Sequence, residues 1–441
     1  MILRQVLACC GVLTLLLTGS PRVGFGAAAP SSDWPQWRGP NRDGVTPERS
    51  GWPNGWPPKR LWARNLGRGS SSPIVVGDRV VVMGWQGRGN LRRNPLGADT
   101  IYCLDARTGR QVWRQTYPCR YQPRTRAGDL GQYGGPHSTP TWDRETGLLY
   151  TLSSDGHLQC WDTRREGKRV WSINLFDTYK VRRRPDVGGG RRDFGFTGSP
   201  LLLGDRVVVE VGGDQGTVMA FDKKTGVRRW ASRHRGAGGH TSGPVAMTVD
   251  GISCLANLTL TGLVVMRLDA GREGETVAEY KWQTHYGCNL PTPAVAGRRV
   301  LLTSAYNRKR TELIEVSLKG ARRVWTSRSN ALLSTPVIHG DRAYLIFGPV
   351  MCLDLATGRR RWRGGSFYHG SCLVTGDDKL LVFGKGRLAL IEARAGQGEY
   401  RELGHVDWVV RDVCYPQVAL ANGFIVCKDK GGNMVCFAVK K

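Results

Sequence analysis

A chain of 441 residues is long enough to bury a substantial core, either as two or three average domains or as one large repeat array. Its 64 Lys and Arg against 36 Asp and Glu give a formal net charge of +28, a field that favours anionic partners such as acidic surface polymers. The basic residues are spread along the whole length without the aromatic interleaving of a nucleic-acid module, which argues against a nucleic-acid partner. Beyond the N-terminus no run approaches the ~18 apolar residues of a membrane span.

In chain order, Arg4, the apolar run Val6 to Leu17 and the small residues Ala27, Ala28 and Ala29 read as a secretory signal over residues 1–29. The mature chain is therefore expected to be exported, periplasmic or extracellular, and soluble. Val6-Leu7-Ala8-Cys9 has the look of a lipid-attachment site, but its apolar stretch follows the cysteine instead of preceding it. Beyond Cys9 and Cys10, ten cysteines remain, which leaves room for one or two disulfides in an oxidising compartment. No Cys-x-x-Cys pair occurs, so no cysteine zinc site of the usual spacing is expected.

Residues 30–58 carry DWPQWRGPNRDG (Asp33–Gly44), several prolines and little periodicity; they read as an irregular strap anchored by Trp34 and Trp37. KRLWARNL (Lys59–Leu66) then reads as an outer strand with Trp62 and no unit of its own. From Ser71 onwards one phrase recurs: a Ser/Thr/Gly-Pro pair, a short apolar run, a Gly-Asp type turn and a second apolar run. Seven copies begin at Ser71, Ser138, Gly198, Ser242, Pro291, Ser334 and Gly370, and a degenerate eighth begins at Tyr415.

A second phrase closes most units: CLDARTGRQVW (Cys103–Trp113), AFDKKTGVRRW (Ala220–Trp230) and CLDLATGRRRW (Cys352–Trp362). Asp105, Asp222 and Asp354 are expected to bond the turn backbone, and Gly109, Gly226 and Gly358 to take left-handed φ. Trp113, Trp230 and Trp362 are expected to open an outer strand and lie between sheets. Trp171, Trp282 and Trp325 close three further units, and in the seventh Tyr400 stands at the same offset. Four of the ten cysteines, Cys103, Cys160, Cys352 and Cys436, share one strand position, as small buried fillers would. The pattern is all-β: an eight-bladed β-propeller of four-stranded antiparallel blades over residues 59–441, its ring closed when the N-terminal strand joins the last blade. A monomer is expected.

On these residues the chain from Lys59 onwards resembles the PQQ-like β-propeller family, whose repeat carries A-x-D-x-x-x-G-x-x-x-W, and the lead DWPQWRGPNRDG resembles the N-terminus of exported bacterial members. That resemblance implies one of two functions. Quinoprotein dehydrogenases hold pyrroloquinoline quinone (PQQ) and calcium at the ring axis and oxidise alcohols or sugars. The propeller lipoprotein of the β-barrel assembly machinery binds partner proteins without a cofactor. The adjacent cysteines common in the dehydrogenases are missing after the leader, and no calcium-binding Glu/Asn/Asp set can be matched. The leading expectation is a binding scaffold without redox chemistry, for a protein partner or a small polar ligand; the alternative is a PQQ-dependent oxidoreductase.

The links between units point to where a ligand would sit. GQYGGPHSTP, GAGGHTSGP, THYGCNLPTP and SFYHGSC place His137, His240, His285 and His369 at one repeat position, with Tyr133, Tyr286, Tyr368 and Asn289 beside them. These are the candidate ligand-binding residues of an axial funnel, by metal or acid/base chemistry, or else caps of the inner strands. Asp377-Asp378 is expected to be a solvated hairpin turn.

Overall fold

The computed structural model describes residues 32–88, 96–119, 134–182, 184–185, 193–239, 243–396 and 398–439; the leader over residues 1–29 lies outside them. Among the described residues the strands form eight four-stranded sheets, each with sequential neighbours except the last. Blades 1 to 7 occupy residues 74–118, 141–174, 201–231, 245–281, 294–327, 337–364 and 371–406. Blade 8 takes three strands from residues 419–438 and its outermost from Lys59–Asn65, which pairs antiparallel with Asn433–Ala438. The N- and C-terminal strands thus share one sheet, and the ring is closed.

Short β-branched and leucine runs such as Ile74–Val76 and Leu201–Leu203 form the innermost strands, and they touch one another around the axis. The hairpin after each needs a left-handed residue, and Gly77, Gly204, Gly297 and Gly340 supply it at φ +57 to +59. Every blade breaks register once between its third and fourth strands, a β-bulge repeated around the ring. Beside that bulge a large indole faces a small partner: Trp113 pairs with Cys103, Trp171 with Cys160, Trp362 with Cys352 and Trp62 with Cys436. The repeated cysteines are therefore the clearance for a tryptophan across the ladder. All ten cysteines from Cys103 onwards are buried and outside any disulfide, so the disulfides that their number allowed are not formed.

Three of the closing indoles also bond to the next blade. The indole Nε1 of Trp62 donates to the Ala106 carbonyl at 2.8 Å, Trp171 to Lys223 at 3.1 Å and Trp325 to Leu355 at 2.9 Å. Three residues on, the glycine of the same turn lies under the ring: a Cβ on Gly109, Gly226 or Gly358 would stand 2.5 to 2.8 Å from Trp62, Trp171 or Trp325. The turn itself is tied by its aspartate, with Asp105 Oδ1 accepting from the Thr108 amide at 2.8 Å and hydroxyl at 2.7 Å. Asp222 and Asp354 make the same bonds to Thr225 and Thr357. Hydrogen bonds from Arg229 and Arg361 hold the carboxyls of Asp222 and Asp354 down at about 2.

Two of the assigned closing aromatics sit elsewhere. Trp282 lies just past the outer strand Thr276–Lys281, where Ala278 pairs with Val265 at the bulge. Its buried ring packs under the guanidiniums of Arg308 and Arg310 instead. Tyr400 precedes the outer strand Glu402–Val406, where Gly404 holds the bulge position; its hydroxyl donates to Glu402 at 2.8 Å and its ring meets Trp362.

Candidate functional site

The axis of the ring is filled by the chain's own N-terminal segment. Trp34 exchanges backbone hydrogen bonds with Val75 of blade 1, the Trp142 amide of blade 2 donates to the Pro35 carbonyl, and Thr46 and Val374 of blade 7 are joined by a further bond. Two buried arginines reach across. Arg38 Nη2 donates to Pro336 at 2.7 Å in blade 6, while Arg42 donates to Pro200 at 2.6 Å and Ser199 at 3.0 Å in blade 3. Both guanidiniums stack on Trp37, and Gly39, at φ +83, passes close against the buried Trp34 ring. Desolvation lowers Arg42 to about 9 and Arg38 to about 10, still charged at neutral pH.

The segment is also clipped to one face of the ring through the first hairpins. Asp33 accepts from the Gly77 amide, Arg144 and Asn422, and Glu48 from the amides of Asn422 and Gly423. Asp377, expected to be solvated, accepts from the Ser50 amide and hydroxyl at 2.8 and 2.7 Å and so receives the strap. Its neighbour Asp378 bonds His339 across the junction with blade 6 and Arg394 within its own blade. The expectation of a solvated carboxylate fails at Asp377 because the strap arrives from a distant part of the sequence, while the Asp378 side chain stays 45% exposed.

The opposite face carries the links from one blade's outer strand to the next blade's inner strand. His240 and Tyr133 lie outside the described residues. His137, half-buried, meets the Phe194 ring edge-on at 6.2 Å. His285 is exposed beside Tyr286, which takes φ +61 and packs near Tyr306. Asn289 is spent on holding its loop to blade 4: it accepts from Thr284 at 2.9 Å and donates to the carbonyls of Thr259 and Trp282 at 2.7 and 3.0 Å. The three described candidates, His137, His285 and His369, thus belong to three separate links, each beside different aromatics. Among the described residues no group of three His, Cys, Asp or Glu side chains is placed to hold a metal.

His369 and Tyr368 share a sizeable concavity. A cleft of ≈ 1250 Å³ is bounded by the links after blades 6 and 7 and by the turn at Lys385–Arg387. The His369 ring sits edge-on between Tyr368 at 4.4 Å and Tyr415 at 5.2 Å, and burial holds its pKa down, with Lys430 adding to the effect. Trp408 stands at the rim 89% exposed, with φ +58, between an exposed Asp407 and the buried pair Val409 and Val410. The Val409 amide is fixed to the Gly386 carbonyl at 2.8 Å, so the indole is presented by an anchored turn. The repeat pattern missed Trp408 because it belongs to none of the recurring phrases; its signal was a lone aromatic inside the link HVDWVVRD.

Two ionisable groups deeper in this face also escaped sequence reading, since each closes an apolar strand. Glu210 accepts from Asn257 Nδ2 at 2.9 Å and the Gly239 amide at 3.0 Å, and burial pushes its carboxyl up to about 7. Lys428 is wholly buried, donates to the Gly69 carbonyl, and is pushed down to about 7 by desolvation. These residues do not fit a quinone with calcium. Calcium takes six to eight oxygens, whereas Glu210 is one carboxylate already bonded by two N–H donors and facing Arg184, and the axis itself holds two guanidiniums.

Comparison with known proteins places this architecture. The family model described as outer membrane protein assembly factor BamB matches residues 58–174 and 97–364. The outer membrane protein assembly factor BamB of Burkholderia pseudomallei (strain K96243) is 26% identical over 353 residues, covering 74% of this chain and 76% of that protein. Quinohemoprotein alcohol dehydrogenase ADH-IIG of Pseudomonas putida is 30% identical over 174 residues, 38% of this chain and 20% of the dehydrogenase. The fold matches the crystal structure of BamB from Moraxella catarrhalis with a TM-score of 0.56 at 11% identity, covering 86% and 99% of the two chains. It matches quinohemoprotein alcohol dehydrogenase from Comamonas testosteroni with a TM-score of 0.62 at 16% identity, covering 94% and 81%. With the family model spanning more than half of its length, the chain belongs to the PQQ-like propeller family described by outer membrane protein assembly factor BamB.

Proposed function

We propose that the protein is an exported binding scaffold of the cell envelope that holds a segment of a partner protein in the cleft beside Trp408, in support of outer-membrane protein assembly. The observation that carries this reading is the presentation of Trp408, 89% exposed on an anchored turn, with Tyr368 at 47% across the same cleft. Aromatic side chains held rigidly at a concavity are the usual energetic centres of protein interfaces. Family membership and the BamB relative support the class of partner. The leader-like N-terminus supports export. The alternative, a PQQ-dependent oxidoreductase, rests on a similarity covering 38% of the chain, and the residues at the axis and around Glu210 do not suit its cofactors.

The test is made in the native host, with Trp408→Ser and Tyr368→Ser combined. Both residues are solvent-facing, so the variant should accumulate to wild-type levels in the exported fraction. It should nevertheless lower outer-membrane β-barrel protein levels as far as deletion of the chain does. Wild-type levels of those proteins in the double variant would refute the assignment of this cleft, and unchanged levels on deletion would refute the function.

A further inference from the structure

A second concavity lies between blades 5 and 6, a cleft of ≈ 460 Å³. Four arginines line it, Arg328 from the link after blade 5 and Arg359, Arg360 and Arg363 from the outer strand of blade 6 and the turn before it. Ser329 and Asn330 add polar groups, and no carboxylate is among its lining residues. All four arginines are exposed, and none makes an ion pair among the described residues. The contrast with their neighbour is direct: Arg361, one residue from Arg360, is bound to both Asp341 and Asp354.

Other turn arginines, such as Arg110 and Arg228, also lack an acid among the described residues; what sets this cleft apart is that four of them line one concavity, whereas several arginines flanking other turns are matched by acids. Arg229 has Asp222, Arg298 and Arg322 have Glu315, and Arg387 has Glu402. Four like charges around one concavity raise a local potential that draws in anions, and planar guanidiniums bond phosphate oxygens two at a time. We propose that this cleft binds a multiply phosphorylated group. The half-buried Phe347 on its wall packs against Tyr368 at 5.7 Å, so the bound group would sit next to the Trp408 cleft, although the inference does not depend on that cleft's role.

The same chemistry is offered by a soluble polyphosphate and by a lipid headgroup with more than one phosphate. Titration with inorganic tripolyphosphate and co-sedimentation with phosphatidylcholine vesicles containing cardiolipin separate the two sources. Wild-type protein should bind at least one probe, and Arg359→Gln with Arg363→Gln should weaken that binding about tenfold or more. A control pair, Arg60→Gln with Arg64→Gln on the exposed strand Lys59–Asn65, removes the same charge and should change binding less than about threefold. Binding of tripolyphosphate alone assigns a soluble anion, and binding of vesicles assigns a membrane headgroup. Failure of the wild type to bind either probe below about 1 mM would overturn the proposal. An equal loss in the control pair would overturn it too, by showing that net charge alone is responsible.

Discussion

Arg38 and Pro336, 298 positions apart, meet at the axis of the ring, where the guanidinium Nη2 donates to the proline carbonyl at 2.7 Å. The same nitrogen donates to the carbonyl of Asp43 at 2.6 Å, so one buried side chain both folds the strap and fastens it to an inner strand. Replacing Arg38 by Ala removes these donors and leaves a buried cavity with an unsatisfied carbonyl. The expected loss is about 2 to 4 kcal/mol in urea unfolding. Arg38→Lys should recover only part of it, because an ammonium cannot reproduce the fork. Wild-type stability in Arg38→Ala would mean that the strap does not brace the ring.

The glycines beneath the indoles separate two costs. Gly204 and Gly226 both have positive φ, but a Cβ on Gly204 meets nothing within 4 Å, whereas on Gly226 it meets Trp171 at 2.8 Å. Gly204→Ala should cost only the left-handed strain, about 1 kcal/mol. Gly226→Ala should add the displacement of the indole and exceed it by about 1 to 3 kcal/mol. Equal melting temperatures for the two variants would show that the Trp171 contact contributes nothing.

Ring closure makes the N-terminal strand a stability element. Trp62 is buried in blade 8, pairs with Cys436, and docks on blade 1 through Ala106 and Gly109. Trp62→Ala should cost about 3 to 5 kcal/mol. Removal of the mature chain through Leu66 should lower the melting temperature further by exposing the edge of Asn433–Ala438. An unchanged melting temperature after that truncation would exclude closure by this strand.

Glu210 predicts a signed pH dependence. Its folded carboxyl is raised to about 7 by burial, against an ordinary value of 4.5. Between these values the unfolded state binds fewer protons than the folded state, so this group's contribution to stability falls as pH rises from about 4.5 to about 7 and is level outside that window. The stability difference between wild type and Glu210→Gln should fall across the same window, by up to about 3 kcal/mol. Lys428, lowered to about 7 from 10.5, gives the reverse slope above neutrality. A pH-independent difference for Glu210→Gln would contradict the buried, proton-binding carboxyl.

The repeats made the ring legible, because each blade is built from contacts close in sequence: a glycine hairpin, an aspartate-tied turn, a tryptophan at a fixed offset. The offsets misled where the blade departs from its own pattern, at Trp282 and Tyr400, since counting residues cannot register a bulge or a strand that starts late. The site was harder to read. Arg38, Arg42 and Asp377 gain their meaning from partners 157 to 327 positions away, and no periodicity announces such a pairing. Of the four histidines expected at one repeat position, His137, His285 and His369 lie in three different links between blades, each beside its own aromatic ring, and among the described residues they join no group of three metal-ligating side chains. Trp408 stands outside the repeat, where binding residues are free to differ from blade to blade.

The central claim is that this ring is filled at its axis by its own strap and not built around a cofactor. It is tested most directly by titrating the purified mature protein with pyrroloquinoline quinone and calcium while following tryptophan fluorescence and alcohol oxidation. The account predicts no saturable quenching at concentrations up to about 100 μM and no turnover. Saturable quinone binding accompanied by alcohol oxidation would contradict it.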